Sequence, residues 1–285
     1  MRIAITGANG QLGQALQATL APRHDLVLLN RGTFDLLLPD AVGQIVATNA
    51  QLVIHAAAHT NVDGCARDPD RAYRINGLGT RYVALACQQL DAPLVYISTN
   101  EVFAGNASRP YMEYDPVGPI NAYGWSKWAG EQAVRELLQR FYIVRVAWLF
   151  GGERNFVRTV LRLAAHPPAS GLRMVTDEIG NPTYTTDVAV AIAALITLPF
   201  YGVYHLVNSG ACSRYECAQE ILRQTRQEHI PLTPITLADF ERDSTPPPYT
   251  ALANVAGAAL GVTLRPWQMA LADFLAQIGA SSGNL

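Results

Sequence analysis

From residue 2 to about residue 150, short runs of β-branched and apolar residues alternate with amphipathic stretches of helix length. That alternation is the pattern of βαβ units, and it predicts a parallel sheet covered by helices. Strands are predicted at 2–6, 26–29, 52–55, 94–98 and 142–147, with helices at 11–20, 39–48, 69–90 and 122–140. Right-handed crossovers then align the carboxyl ends of the strands along one edge, where a ligand crevice forms. After Phe150-Gly-Gly152 the pattern loosens. A helix near 155–164, a Pro/Gly loop at 166–171 and a strand at 172–176 are followed by a helix at 186–197 and an apolar segment at 203–207 that resumes the sheet rhythm. Helices at 214–228 and 267–277 flank Asp243-Ser-Thr-Pro-Pro-Pro-Tyr249, which reads as an exposed loop, and the tail from Gly279 to Leu285 reads as frayed.

With 285 residues, 49% of them hydrophobic, the chain can bury a large core without disulfide or metal staples. Its formal net charge of -2 gives no electrostatic reason to expect nucleic acid or an anionic membrane as partner. Any anionic ligand must therefore be caught by local groups. The first strand begins at Arg2, which leaves no room for a signal peptide, and no apolar run approaches the roughly 18 residues of a membrane span. Cys65, Cys87, Cys212 and Cys217 show no C-x-x-C spacing and are too sparse for a disulfide framework. They read as reduced thiols of a soluble, cytoplasmic protein, and no metal site is expected.

Directly after the first strand comes Thr6-Gly-Ala-Asn-Gly-Gln-Leu-Gly13, then a helical run. Gly7, Gly10 and Gly13 let the backbone approach a pyrophosphate closely, with Gln11 and Leu12 at the helix N-terminus, where amide N–H groups point at an anion. The preceding strand and following helix supply the context that this motif requires. At the end of the second strand, where a carboxylate usually grips the adenosine ribose of NAD, the chain has Asn30 and Arg31. An arginine there can pair with a 2′-phosphate, which favours NADPH over NADH while leaving NADH possible. Asp35 and the adjoining Leu36 would face the adenine, or Asp35 would cap the next helix. Ala56, Ala57 and Ala58 would let the cofactor pass close over the sheet edge, or reflect tight packing. The fold class expected is thus α/β, a Rossmann-like doubly wound parallel sheet with a smaller, discontinuous substrate-binding lobe. Residues 1–150 would form the NAD(P)-binding domain, with later returns near 183–208, and 151–285 mainly the substrate lobe.

Tyr123 and Lys127 lie four residues apart in a predicted helix, so both project from one face. A tyrosine, with a reference pKa of about 10, is a poor base at neutral pH unless something favours its phenolate. A neighbouring ammonium would do so, which suits the pair to moving a proton at a carbinol or carbonyl oxygen.

With these features, His55-Ala-Ala-Ala-His-Thr60 and Tyr96-Ile-Ser-Thr99 in place, the chain resembles the extended short-chain dehydrogenase/reductases, and within them the dTDP-4-dehydrorhamnose reductase family. The likeness continues through Val144–Gly151, Asn155–Leu163, Gly180-Asn-Pro-Thr-Tyr184, Gly202–Leu206 and Leu264-Arg-Pro-Trp267 in family order. It implies NADPH-dependent reduction of the 4-keto group of a sugar nucleotide, dTDP-4-dehydro-L-rhamnose first, by a monomer or homodimer. Another dTDP-4-keto-6-deoxyhexose, or a non-catalytic NADP-binding regulatory subunit, are the alternatives. On this resemblance Tyr123 is the general acid, Lys127 holds the nicotinamide ribose and lowers the Tyr123 pKa, and Thr99 hydrogen-bonds the carbonyl oxygen. Trp148 lines the sugar pocket, Thr60 lies beside nicotinamide and sugar, and Tyr111 and Tyr184 are possible pocket walls. Asn155, Arg158 and Arg162, at helical spacing, could meet the diphosphate or form a solvated face. His55 and His59 read as structural. Two departures stand out. Where the family commonly has Thr-Asp-Tyr-Val-Phe, this chain has Thr99-Asn-Glu-Val-Phe103, so the sugar-contacting position is Asn100 and a carboxylate follows at Glu101. Where some members hold magnesium through glutamates, it has Ala15 and, later, only Asp187.

Overall fold

In the computed structural model, which describes residues 1–38 and 40–282, the first half alternates strand and helix. The order is β1 (Arg2–Thr6), α1 (Gln11–Leu20), β2 (Asp25–Leu29), α2 (Ala41–Val46), β3 (Leu52–His55), α3 (Val62–Arg67) and α4 (Pro69–Tyr73). A single π turn (Arg74–Leu78) leads into α5 (Gly79–Leu90), followed by β4 (Leu94–Thr99), α6 (Ala122–Leu137) and β5 (Phe141–Val146). The second half carries β6 (Leu149–Phe150), α7 (Phe156–Ala165), β7 (Leu172–Val175), β8 (Ile179–Gly180), β9 (Thr183–Tyr184) and α8 (Thr185–Leu195). It ends with β10 (Gly202–His205), β11 (Cys212–Ser213), α9 (Arg214–Gln224), β12 (Leu232–Ile235), α10 (Ala256–Ala259) and α11 (Trp267–Ser282).

Six strands form one parallel sheet in the order β2-β1-β3-β4-β5-β10. The central strands β3 and β4 are buried along their whole length, as expected where helices cover both faces, and the edge strand β2 is only partly covered. On one face Ile3 and Ile5 pack with Leu12, Leu16 and Leu20 of α1 and Val188, Ile192 and Leu195 of α8. On the other, Ala4, Val53 and Tyr96 pack with Val83, Ala84 and Cys87 of α5 and Val134 of α6. The chain passes from β1 outward to β2 and returns to β3 on the other side, so the strand order reverses between β1 and β3. That switch point is where a doubly wound sheet opens a crevice at its carboxyl edge. A second core, built from Phe150, Val160, Met174, Ile221, Trp267 and Phe274 among others, holds the smaller lobe together. Among the described residues no helix is long and apolar enough to cross a membrane.

Several elements differ from the sequence expectation. The helix expected at 39–48 shrinks to Ala41–Val46, position 39 lying outside the described residues. The helix expected at 69–90 is one rod widened by the π turn at Arg74–Leu78, and α3 precedes it. Helix 214–228 stops at Gln224, just before Arg226 takes φ +58°. The last helix continues through Ser282, so 279–282 are helical rather than frayed, while 283–285 lie outside the described residues. β12 contains Pro234, a residue that argues against a strand. It is tolerated because β12 has a single neighbour, β7. The loop expected to be exposed at 243–249 is docked: Ser244, Pro246 and Pro247 are buried, Asp63 accepts from Arg242 Nε at 3.0 Å and from Ser244, and Arg67 pairs with Asp243.

Candidate active site

At the switch point Gly7 adopts φ +70°, in the left-handed region that favours glycine. A Cβ there would lie 2.6 Å from the Ala57 backbone nitrogen, so the small run after β3 is packed directly beneath the glycine loop. A Cβ on Gly13 would stand 2.3 Å from the Gly7 carbonyl oxygen. Both obstacles are backbone and cannot rotate away. Gly7→Ala is therefore expected to destabilise the fold on the order of 1–3 kcal/mol, read as a lower denaturant midpoint at unchanged slope. Beyond the loop, α1 begins with no side-chain cap at Gly10 and no acidic residue in its first turn. Its amides and the positive end of its dipole are left for an anion.

Around this loop runs a cleft of about 690 Å³ at the sheet edge, which also takes in Asn30, Arg31, Asp35, Leu36, Ala58, Thr60, Tyr123 and Lys127. One lining group is conspicuous: Gln11 Oε1 is buried without a hydrogen-bond partner, while its Nε2 reaches the Leu149 carbonyl at 3.4 Å. Among the described residues no other buried side-chain N or O atom lacks a partner, and this acceptor suits a ligand that donates a hydrogen bond to it. Asn30 Oδ1 accepts from the Asn9 amide at 3.0 Å and so holds the turn beside Arg31. Asp35 does not cap α2, whose N-cap position is Asp40. Its carboxylate accepts instead from the Leu37 amide at 2.9 Å. The cleft also includes Arg71 on α4, a cation that the sequence motifs did not single out. Burial first, then the charges of Arg71 and Arg31, hold the His59 imidazole below its usual range, which places two guanidinium groups around one end of the cleft.

At the other end α6 presents Tyr123 and Lys127. The helix starts here because Asn121 caps it, Oδ1 accepting from the Gly124 amide at 2.8 Å. Asn121 Nδ2 in turn donates to Glu101 Oε2 at 2.7 Å and to the Thr245 carbonyl at 3.1 Å. Tyr123 interacts with the Thr99 hydroxyl, yet its phenol is pushed well above the ordinary range, by burial first and then by the Glu101 charge. The expected lowering by Lys127 is thus not what this arrangement gives. Lys127 donates to the Ile97 carbonyl at 2.7 Å and lies 4.2 Å over the Tyr96 ring. Its own pKa is lowered to about 7 by burial, partly offset by the Glu131 carboxylate. Geometry and electrostatics keep Tyr123 a neutral hydroxyl, the form that donates a proton. Thr99 also accepts from the Glu101 amide at 3.2 Å.

Other expected residues are placed differently. Asn100 is buried, its Nδ2 donating to Thr250 Oγ1 at 2.6 Å, so it ties the second lobe to the end of β4. Tyr111 is not a pocket wall: its hydroxyl collects the amides of Gly105, Asn106 and Ala107 at 3.1, 3.1 and 3.2 Å and its ring stacks on Phe103. Tyr184 is likewise core, stacked on Phe150 and donating to Gln277 Oε1 at 2.8 Å. Asn155 caps α7 and Arg158 turns back to the Gly152 carbonyl and Glu153, while Arg162 stands exposed in the last turn. Asn155 and Arg158 are thus bonded within their own loop and helix start, and Arg162 lies on a solvated face. Trp148 sits at φ +39° with the Arg214 guanidinium stacked 3.5 Å above its ring, itself paired with Glu178 at 2.8 Å. His55 is wholly buried between Thr6 and Thr80, and burial lowers its pKa to about 3, so it is a neutral structural residue. Asp187 is engaged by both Arg265 Nε at 2.9 Å and Asn208 Nδ2 at 2.8 Å.

Asn76 was not anticipated. It lies in the π turn, buried, accepting from the His59 amide at 2.7 Å and donating to the His59 carbonyl at 3.0 Å and Ser126 Oγ at 2.9 Å. It thereby joins the loop after β3 to the helix that carries Tyr123. A π turn has no sequence signature. The cap at Asn121, by contrast, is a residue type that announces a helix start.

The family model described as the RmlD substrate binding domain matches residues 1–280. The chain belongs to this family. Members of the wider group include the spore coat polysaccharide biosynthesis protein SpsK of Bacillus subtilis (strain 168), 36% identical over 277 residues, or 96% of each chain. The dTDP-4-dehydrorhamnose reductase of Mycolicibacterium smegmatis is 37% identical over 97% of this chain and 86% of its own. Among solved structures, the dTDP-4-dehydrorhamnose reductase of Bacillus anthracis str. Ames, in complex with NADP, superposes with a TM-score of 0.92 at 38% identity, covering 97% of this chain and 99% of that one. The Rossmann-like fold of the family extends further, to the UDP-glucose 4-epimerase of Thermotoga maritima at a TM-score of 0.82 and 16% identity.

Proposed function

We propose that the protein reduces the 4-keto group of dTDP-4-dehydro-L-rhamnose with NADPH, giving dTDP-L-rhamnose. The observation that carries this reading is the placement of Tyr123 and Lys127, one turn apart on α6, at the end of a cleft lined by Gly7, Gly10 and Gly13. Family membership over residues 1–280 and the NADP-bound relative support it. The uncapped start of α1 fits the pyrophosphate of a dinucleotide, and the orphaned Gln11 Oε1 fits a hydrogen-bond donor elsewhere on that ligand, such as a hydroxyl or an amide. Gly7, Gly10, Gln11, Leu12 and Gly13 would hold its phosphates, Asn30 and Arg31, with Asp35 and Leu36, its adenosine end, and Ala56–Ala58, Thr60 and Lys127 its nicotinamide half. Bound NADPH supplies the hydride for the keto carbon. Tyr123 donates its proton to the developing alkoxide, and Thr99 hydrogen-bonds the same oxygen, an electrostatic contribution aimed at where charge develops. The sugar nucleotide would lie against Trp148 and the second lobe, residues 151–285 contributing most of its contacts. The protein would act in the cytoplasm as a monomer or homodimer, consistent with its four unpaired cysteines.

The test follows NADPH absorbance on addition of dTDP-4-dehydro-L-rhamnose. Oxidation that depends on the sugar is expected, whereas NADPH binding without oxidation would sink the reading and favour a regulatory subunit. Arg31→Ala is expected to raise KM for NADPH roughly tenfold to a hundredfold, the loss of one charge-assisted contact, with KM for NADH little changed. Equal effects on the two cofactors would remove Arg31 from the 2′-phosphate.

A further inference from the structure

Glu101 is an acidic side chain beside Tyr123 to which the reduction assigns no proton transfer. Residues 100–102 form a single 3₁₀ turn after β4, and the Glu101 amide donates to Thr99 Oγ1 at 3.2 Å. The first turn of α6 packs on it so closely that a Cβ on Gly124 would lie 2.2 Å from the Glu101 carbonyl oxygen. Glu101 is thus held between Thr99 and the first turn of α6, which carries Tyr123. Its carboxylate is secured on one side only. Oε2 accepts from Asn121 Nδ2 at 2.7 Å, while among the described residues no hydrogen bond reaches Oε1. Oε1 is not among the fully buried atoms left without a partner, and Asn121, which holds Oε2, caps the helix whose first turn carries Tyr123. The Glu101 charge acts directly on both Tyr123 and Cys65. The cations nearest to it are committed elsewhere, Arg242 to Asp63 and Arg214 to Glu178.

Hydrogens on the carbons flanking a ketone are acidic, because the charge left on carbon delocalises onto the carbonyl oxygen. A site that polarises a ketone with Tyr123 and Thr99, and holds a carboxylate oxygen free alongside, has the parts for a second reaction. We propose that Glu101 is the general base of an enolisation activity that exchanges a hydrogen next to the keto group of the bound sugar, without oxidising cofactor. In the forward step Glu101 Oε1 takes the proton, the C–H electron pair becomes the carbon–carbon double bond of the enol, and the carbonyl oxygen takes the Tyr123 proton. The return step reverses each transfer, with a solvent-derived proton on Glu101. No electrons are gained or lost overall. Return to the same face conserves the stereocentre, and return to the opposite face inverts it. Burial and the nearby Glu178 charge raise the Glu101 pKa, which strengthens it as a base.

The inference rests on the ketone reductase reading, and the experiment separates the two. The native protein is incubated in D2O with NADP+ and dTDP-4-dehydro-L-rhamnose freed of the enzymes that made it. Proton NMR follows the ring hydrogens flanking the ketone against a protein-free control, and NADPH oxidation is measured on the same preparation. The expected result is exchange at least about tenfold above control, falling roughly a hundredfold or more in Glu101→Gln, the scale of one general base. That fall should exceed any fall in NADPH oxidation. Glu101→Asp, which keeps the charge one methylene further back, should lie between and serves as the variant if the glutamine form fails to fold. Reduction without exchange above control in the native protein, or undiminished exchange in both variants, would overturn the proposal and leave the reductase reading standing. Exchange without reduction would do the opposite.

Discussion

Tyr123→Phe is expected to lower sugar-dependent NADPH oxidation by roughly 10²- to 10⁴-fold, the contribution of one positioned general acid. The substitution removes a single oxygen from a side chain whose ring position is set by α6, so the cleft keeps its shape and NADPH affinity should hold within a few fold. The loss should therefore fall on kcat and on kcat/KM alike, as for an interaction made only in the transition state. The electrostatics give this prediction its sign. Burial and Glu101 hold the phenol above its usual range, so at neutral pH Tyr123 carries the proton that reduction consumes. Single-turnover measurement of hydride transfer by absorbance, with cofactor affinity measured by fluorescence titration, checks both halves. A mutant that still reduces the sugar within tenfold of the native rate would remove Tyr123 from the chemistry.

The largest stability effect is expected about two helical turns further along α6. Glu131 and Arg145 are 0% and 1% exposed and form a bidentate pair, Nε to Oε1 at 2.9 Å and Nη2 to Oε2 at 2.8 Å. Ser98 Oγ adds a bond to Glu131 at 2.6 Å, and the Arg145 guanidinium lies 5.0 Å from the Phe103 ring. Arg145→Met removes the cation but leaves the carboxylate in the core, at a cost of about 3–5 kcal/mol. The double variant Glu131→Leu/Arg145→Met discharges the site with groups of similar shape and should recover most of that loss. Urea denaturation of both variants tests this, and a double mutant no more stable than Arg145→Met would show that the pair is not the source. Because Glu131 partly offsets the burial of Lys127, the double variant should also push the Lys127 pKa further down.

The periodicity made the five leading strands readable to within a residue or so, because a strand buried on both faces reads as a nearly continuous apolar run, as in β3 and β4 up to the polar His55, Ser98 and Thr99 at their carboxyl ends. The glycine loop was equally readable, since only glycine meets the backbone contacts of positions 7 and 13. What could not be read were the contacts that tertiary packing decides. Tyr111 and Tyr184 have the composition of pocket walls, yet their hydroxyls are consumed by backbone amides and Gln277. The Asp243–Tyr249 stretch has the composition of an exposed loop, and nothing local to it reveals Asp63, about 180 residues away in sequence, as its anchor. The mutual effect of Tyr123 and Lys127 depended on where an ammonium points, which spacing alone leaves open. In this chain it points at Ile97.

The position of β10 at the outer edge of the sheet bears on how the chain matures. β5 finds its last neighbour only when residues 202–205 arrive, and α1 is not covered until α8 does. A nascent chain halted near residue 150 would expose an unpaired strand edge and one open face of its sheet, a species prone to aggregate. Pieces of the smaller lobe precede α8 and follow β10 in the chain, so neither half can finish ahead of the other. The cleft at the sheet edge and the lobe beside it are therefore expected to be completed together, late in synthesis.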